Sequence, residues 1–230
     1  MSFQYIEDFF IHITALDLSL LGDSMLYALR YTAKNNPTVF VGLLAFFVAL
    51  WGVSSNRRAS RHKNSIDFQT NLSHNEKILE MREIALSIAL DEKKRAKHGG
   101  RPGYISISDY VSPTLARSKN GIAIMRFLNE WERAANGIFK DVYDEHFLYQ
   151  VYGTTVLGIY ELFYDYISSV QQQNPRAYLQ YSKLYCKWRA MRIRQERKTG
   201  QLTKLKLNDK TAAIELKKIK KVQKLLRTYD

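Results

Sequence analysis

Residues 38–55 read TVFVGLLAFFVALWGVSS, and no charged side chain lies between Lys34 and Arg57. As a helix, eighteen residues at about 1.5 Å each span roughly 27 Å, close to the hydrocarbon core of a bilayer. Asn36 and Pro37 supply an N-cap and a first-turn proline. Trp51 stands near the far end, where an interfacial aromatic belongs. The pattern predicts a retained membrane helix over 36–55. It reads against a cleaved signal peptide, because residues 1–29 contain no Lys or Arg.

Beyond the anchor the periodicity is helical throughout. Residues 57–72 contain no breaker, so the membrane helix is expected to continue outward. Ser73 and Glu76 have capping-box spacing before a stripe of Ile78, Met81, Ile84, Ala85, Ile88 and Ala89. That helix ends in a cation-rich run before Gly99 and Gly100. Residues 101–111 read as a Gly/Pro loop with a short extended piece at 104–107. Ser112 and Pro113 restart helix, and helices are expected over 122–138, 144–173 and 175–198. Asp209 is the expected cap of a last helix running through Tyr229. The fold class is therefore all-α: one or two N-terminal transmembrane helices, then a cytoplasmic helical domain with a basic C-terminal helix. The segments are 1–35, 36–55, 56–199 and 200–230.

Segment 1–35 supports two readings. Residues 9–29 hold 14 apolar side chains in 21, but also His12, Asp17 and Asp23. Ten strong apolar residues contribute about −5 kcal/mol to insertion, and two central Asp cost about 5 to 7 kcal/mol. The segment is either an amphipathic helix on the membrane surface or a second span whose polar stripe faces a partner helix or pore. The connection 31–36 suits a helical hairpin, the favoured reading. Within 36–55, Gly42, Ala45, Ala49 and Gly52 place four small residues on one helix face, where a second helix can approach closely and self-association can follow. Arg57, Arg58, Arg61 and Lys63 outnumber Arg30 and Lys34 across the span, so the positive-inside rule puts 56–230 in the cytoplasm.

Charge sharpens the picture. The formal net charge is +13, and residues 186–230 hold 15 Lys/Arg against 4 Asp/Glu. Tyr178, Tyr181, Tyr185 and Trp188 recur at helical spacing beside Lys187, Arg189, Arg192 and Arg194. Such a stripe is either the core face of an amphipathic helix or a platform for stacked bases beside phosphate-binding cations. In the last helix Lys217, Lys218, Lys220, Lys221 and Lys224 surround an apolar side of Leu216, Ile219, Val222 and Leu226. Anionic lipid, nucleic acid and a protein partner are all candidate counterparts.

Enzyme chemistry is not apparent. There is no phosphate-binding glycine loop, no G-x-S-x-G and no H-E-x-x-H. The acids Glu130, Glu132, Asp141, Asp144 and Glu145 read as caps and solvated faces, because no pair of Glu-x-x-His units accompanies them. Cys186 is the one cysteine, so neither an internal disulfide nor a cysteine-based zinc site is available. No cofactor is expected.

Arg57, Arg58 and Ala59 with Ile66, Asp67 and Phe68, followed by Phe127, Leu128, Asn129, Glu130, Trp131 and Glu132, Gly137 and Ile138, and Asp144 and Glu145, resemble a bacterial family of small membrane-anchored proteins of unknown function. The resemblance spans about residues 37–190 and marks Arg57, Arg58, Asp67, Asn129, Glu132, Asp144 and Glu145 as motif positions, none of them catalytic. It implies a bacterial inner-membrane location. It also implies membrane effectors that accompany reverse transcriptases in retron anti-phage cassettes, with a reverse transcriptase–nucleic acid complex as partner. The expected function is therefore a non-enzymatic effector that disrupts the membrane when released from that partner. The alternatives are a scaffold that recruits a protein to the membrane, and a membrane-tethered nucleic-acid binder.

Overall fold

Asn36 stands outside the helix that follows it and its carbonyl accepts from the Phe40 N–H at 3.2 Å, with Pro37 in the first turn. From there α1 runs as one helix over Pro37–His74. The computed structural model describes Tyr27, Tyr31 and residues 34–98 and 105–229. The expectations for residues 9–29, including Asp17 and Asp23, lie outside the described residues.

The chain divides into two units, Met1–Arg57 and Arg58–Asp230. In the first, the apolar stretch of α1 is long and apolar enough to cross a membrane, and none of it is buried. Val41, Phe46, Val48 and Trp51 are all exposed. Gly42, Ala45, Ala49 and Gly52 share one exposed face of the helix.

The second unit begins with the end of α1 and continues with α2 (Glu76–His98), a 3-10 turn (Ile107–Val111) and α3 (Pro113–Ala116). Next come α4 (Lys119–Phe139), α5 (Glu145–Leu162), α6 (Tyr164–Gln173) and α7 (Leu179–Lys198). A 3-10 turn (Leu202–Leu205), α8 (Asp209–Leu226) and a final 3-10 turn (Arg227–Tyr229) complete it. Every described element is helical.

The central layer is α4 against α2 and α7. Its buried positions Ile124, Phe127, Leu128, Trp131, Ala134, Ala135 and Ile138 recur at three and four residues, so one face of α4 is continuous apolar surface. Phe127 meets the fully buried Phe163 ring edge-on at 6.1 Å. Helix α7 is apolar on two sides. Tyr181, Leu184 and Trp188 enter the main core, while Cys186, Ala190 and Ile193 meet Ala212 and Ile219 of α8 in a second cluster. The last segment thus packs within the second unit by its own small core.

Several local expectations are corrected. Helix α1 extends to His74, so Ser73 lies inside it, and Asn75 Oδ1 accepts from Lys77 N at 3.2 Å and Ile78 N at 3.4 Å to open α2. Residues 144–173 form two helices, because Phe163 leaves helical geometry (φ −102°, ψ 12°) to seat its ring in the core. Helix α7 begins at Leu179, after Tyr178 turns in the left-handed region at φ 52°. Asn208, one residue before Asp209, caps α8 by accepting from Thr211 N at 2.9 Å. Within the described part of the 104–107 piece, Ser106 is extended, and the chain then turns into 3-10 helix at Ile107.

Candidate functional site

Within the second unit, the outer end of α1 is seated on the loop between α4 and α5. Arg61, Asn64, Ser65 and Phe68 project from one side of α1 at helical spacing. Arg61 Nη1 lies 3.0 Å from Asp141 Oδ1, and Asn64 Nδ2 donates to the Val142 carbonyl at 3.2 Å. Ser65, fully buried, accepts from the Asp144 N–H at 2.7 Å and donates to its own Arg61 carbonyl at 2.9 Å. Phe68 closes the seam against the rings of Tyr143 at 5.4 Å and Trp131 at 6.3 Å.

The loop itself is tight. Asp141 is left-handed at φ 57°, and the Gly137 carbonyl accepts from Val142 N at 2.8 Å. A Cβ on Gly137 would stand 2.4 Å from the Tyr143 ring, so only glycine lets that ring lie flat on α4.

Asp144 then starts α5, accepting from the Phe147 N–H at 3.1 Å. That bond holds the Asp144 carboxyl below the usual carboxylate range against the cost of burial, and His62 at 3.6 Å lowers it further. Glu145 faces the other way, to Lys187 Nζ at 2.6 Å and Trp188 Nε1 at 3.1 Å on α7. Arg58, Arg61, Asp141, Asp144, Glu145, His146 and Lys187 line a cleft of about 640 Å³ here.

The remaining acids are also helix fasteners. Glu132 on α4 accepts from Gln180 N at 3.1 Å and Tyr181 N at 2.7 Å, capping α7 from across the core. Burial pushes the Glu132 carboxyl up, and the two N–H donors pull against it. Glu92 does the same for the first 3-10 turn, accepting from Ser106 Oγ and Ile107 N at 2.8 Å each. Among the described residues no group of three or more His, Cys, Asp or Glu is arranged to hold a metal ion.

The sequence-selected residues thus separate. Glu132, Asp144 and Glu145 join elements, whereas Arg57, Arg58, Asp67 and Asn129 are exposed. The aromatic stripe of α7 is core: Tyr181 and Trp188 are inaccessible, and Tyr178 is buried too. Tyr160 stacks on Tyr185 at 4.1 Å and meets Tyr181 edge-on at 5.2 Å. Burial excludes base stacking on Tyr178, Tyr181 and Trp188, and the half-buried Tyr185 already stacks on Tyr160.

The cations divide as well. Lys187 is taken by Glu145, Arg189 by Glu215 at 2.7 Å, and Arg192 by the buried Glu196 at 2.8 Å. Arg194 and the five lysines Lys217, Lys218, Lys220, Lys221 and Lys224 are exposed, and none of them has an ion pair among the described residues. Ile214 and Leu225 are exposed on the same side of α8.

Residues 39–188 match a family described as a domain of unknown function (DUF4760). The chain belongs to this family. No curated protein and no solved structure matches it. The DUF4760 match takes in the α1 seam, the Glu132 cap and the Glu145–Lys187 bridge, all within 39–188. Helix α8 and its exposed lysines lie beyond it.

Asn64, Ser65 and Glu92 were missed as joining residues in the sequence. The signal for Ser65 was its place in the spacing Arg61, Ser65, Phe68 on one side of α1. Glu92 and Glu132 gave no local signal, because the N–H groups they accept from lie 15 and 49 residues further along the chain.

Proposed function

We propose that this protein is a non-enzymatic membrane effector controlled through its C-terminal basic helix. In this reading the apolar part of α1 crosses a bacterial inner membrane, and the second unit stands in the cytoplasm. A polyanionic partner, such as the reverse transcriptase–nucleic acid complex implied by the resemblance, docks on α8 and holds the protein quiescent. Release lets the small-residue faces of neighbouring α1 helices assemble and permeabilise the membrane, as an antiviral response.

One observation carries the reading. Five lysines of α8 are exposed without an ion pair among the described residues, while Lys187, Arg189 and Arg192 of α7 are spent on internal acids. The protein holds its own structure with one set of cations and presents the other outward, where it attracts polyanions. The bare apolar surface of α1 gives the effector its target.

The test replaces Lys217, Lys218, Lys220, Lys221 and Lys224 by Gln in the full chain. Co-purification of nucleic acid and partner is then measured at two salt concentrations, with growth and membrane potential followed on expression. The variant is expected to lose the nucleic acid and to depolarise cells. Gly42→Leu with Ala49→Leu is expected to abolish that depolarisation at unchanged expression. Wild-type and variant proteins that carry equal nucleic acid, and leave the membrane potential intact, would sink the proposal in favour of a passive scaffold.

A further inference from the structure

A second cleft, of about 510 Å³, lies where α4, α7 and α8 meet. This size falls within the range of pockets that enclose small molecules, about 300–1,000 Å³. Four cations line it, Lys140, Lys183, Lys187 and Arg227, and no carboxylate does. The cleft at the α1 seam differs, since Asp141, Asp144 and Glu145 line it beside Arg58, Arg61 and Lys187.

Two of these cations also answer internal acids, Lys187 bonding Glu145 and Lys183 acting on the Glu132 carboxyl. Lys187 also sits 5.7 Å from the centre of the Phe139 ring. Lys140 and Arg227 are the exposed C-cap residues of α4 and α8, so each offsets the negative end of its own helix. A compact polyanion between them meets positive charge from three helices.

The rest of the lining is suited to more than phosphate. Phe139 is 40% exposed and offers a ring surface to a base. Asn136, Gln180 and Gln223 bring three side-chain amides, each with donor and acceptor atoms for a base edge or sugar. From this combination we infer that the cleft binds a nucleotide carrying two or more phosphates. The phosphates lie toward Lys140 and Arg227, and the base lies against Phe139. The ligand ties α8 to α4, which gives a soluble metabolite a hold on the basic helix. The site does not depend on the membrane reading, because it is built wholly within the second unit.

The experiment uses the full chain in detergent with EDTA present, titrated calorimetrically with ATP, tripolyphosphate and adenosine as probes. ATP is expected to bind with a dissociation constant below about 100 μM, tripolyphosphate about tenfold more weakly, and adenosine not measurably. Lys140→Gln with Arg227→Gln is expected to weaken ATP at least about tenfold while the near-UV circular dichroism is unchanged. Phe139→Leu is expected to weaken ATP and leave tripolyphosphate unaffected. The five-lysine α8 variant is expected to keep ATP affinity, which separates this site from the outward face of that helix. The inference is overturned if ATP does not bind below about 1 mM, or if Lys140→Gln with Arg227→Gln changes nothing. It fails equally if ATP and tripolyphosphate bind alike, or if ATP binding goes with the α8 lysines.

Discussion

Glu132 is the residue whose loss the fold should feel most for a polar side chain. Helix α7 starts after Tyr178, which is left-handed at φ 52° and makes no side-chain cap bond. The orphan N–H groups of Gln180 and Tyr181 therefore depend on a carboxylate that α4 delivers at 3.1 and 2.7 Å. A hydrogen bond to a charged group contributes about 1.5 to 3 kcal/mol, and two are lost in Glu132→Ala. Burying the carboxylate is itself costly, as its upward-shifted pKa records, so the net loss is set at about 3 kcal/mol. For a unit of this size that corresponds to a fall in Tm of about 6 to 12 °C. Glu132→Gln keeps one acceptor oxygen but points an amide N–H at the other donor, for a loss of about 1 to 2 kcal/mol.

The pH dependence has a definite sign. Because folding raises the Glu132 pKa, the folded protein holds the proton more tightly, and the stability this contributes is fully present below the unfolded pKa and lost as pH rises through the folded value. The advantage of wild type over Glu132→Gln should therefore narrow between acidic and neutral pH. The assay is urea or thermal unfolding of the full chain in detergent, followed by near-UV circular dichroism of the buried Trp131 and Trp188. A Glu132→Ala protein melting within about 2 °C of wild type would refute the capping role, and an advantage that widens with pH would refute the upward shift of the carboxyl.

Three further outcomes test other joints of the structure. Gly137→Ala should lower Tm by about 4 °C or more, because its methyl meets the Tyr143 ring, and Tyr143→Ala in the same chain should recover part of the loss; equal melting of Gly137→Ala and wild type counts against this. Asp144 has a lowered pKa, so its stabilisation is present above the unfolded pKa and lost as pH falls through the folded one; Asp144→Asn should flatten the acid limb of the unfolding profile, and an unchanged limb would contradict the capping bond. Cys186 is buried and its thiol pushed up to about 11 by desolvation, so the native protein should resist a thiol reagent at pH 8 and react on unfolding; prompt reaction of the native form would show that the cluster beneath α8 opens.

Much of this architecture is determined by the sequence alone, because its causes are local. The apolar run at 38–55 and the uninterrupted 57–72 specify one long helix, observed as Pro37–His74. The periodicity of α4 specifies its buried face, and Asp144 is legible as a cap because the N–H that donates to it is three residues away. Helix ends elsewhere were decided by tertiary structure. Ser73 has the spacing of a cap, but whether α1 stops before it depends on what α1 packs against. Phe163 breaks a pattern that is helical on both sides, because the core offers its ring a place off the helical path. The roles of the charged residues were the least legible. Glu132 and Tyr181 are 49 residues apart, and Ser65 and Asp144 are 79 apart, so no local pattern links them. Lysines and arginines of equal charge look alike in a sequence. Only packing turns Lys187, Arg189 and Arg192 toward internal acids and leaves the α8 lysines facing outward.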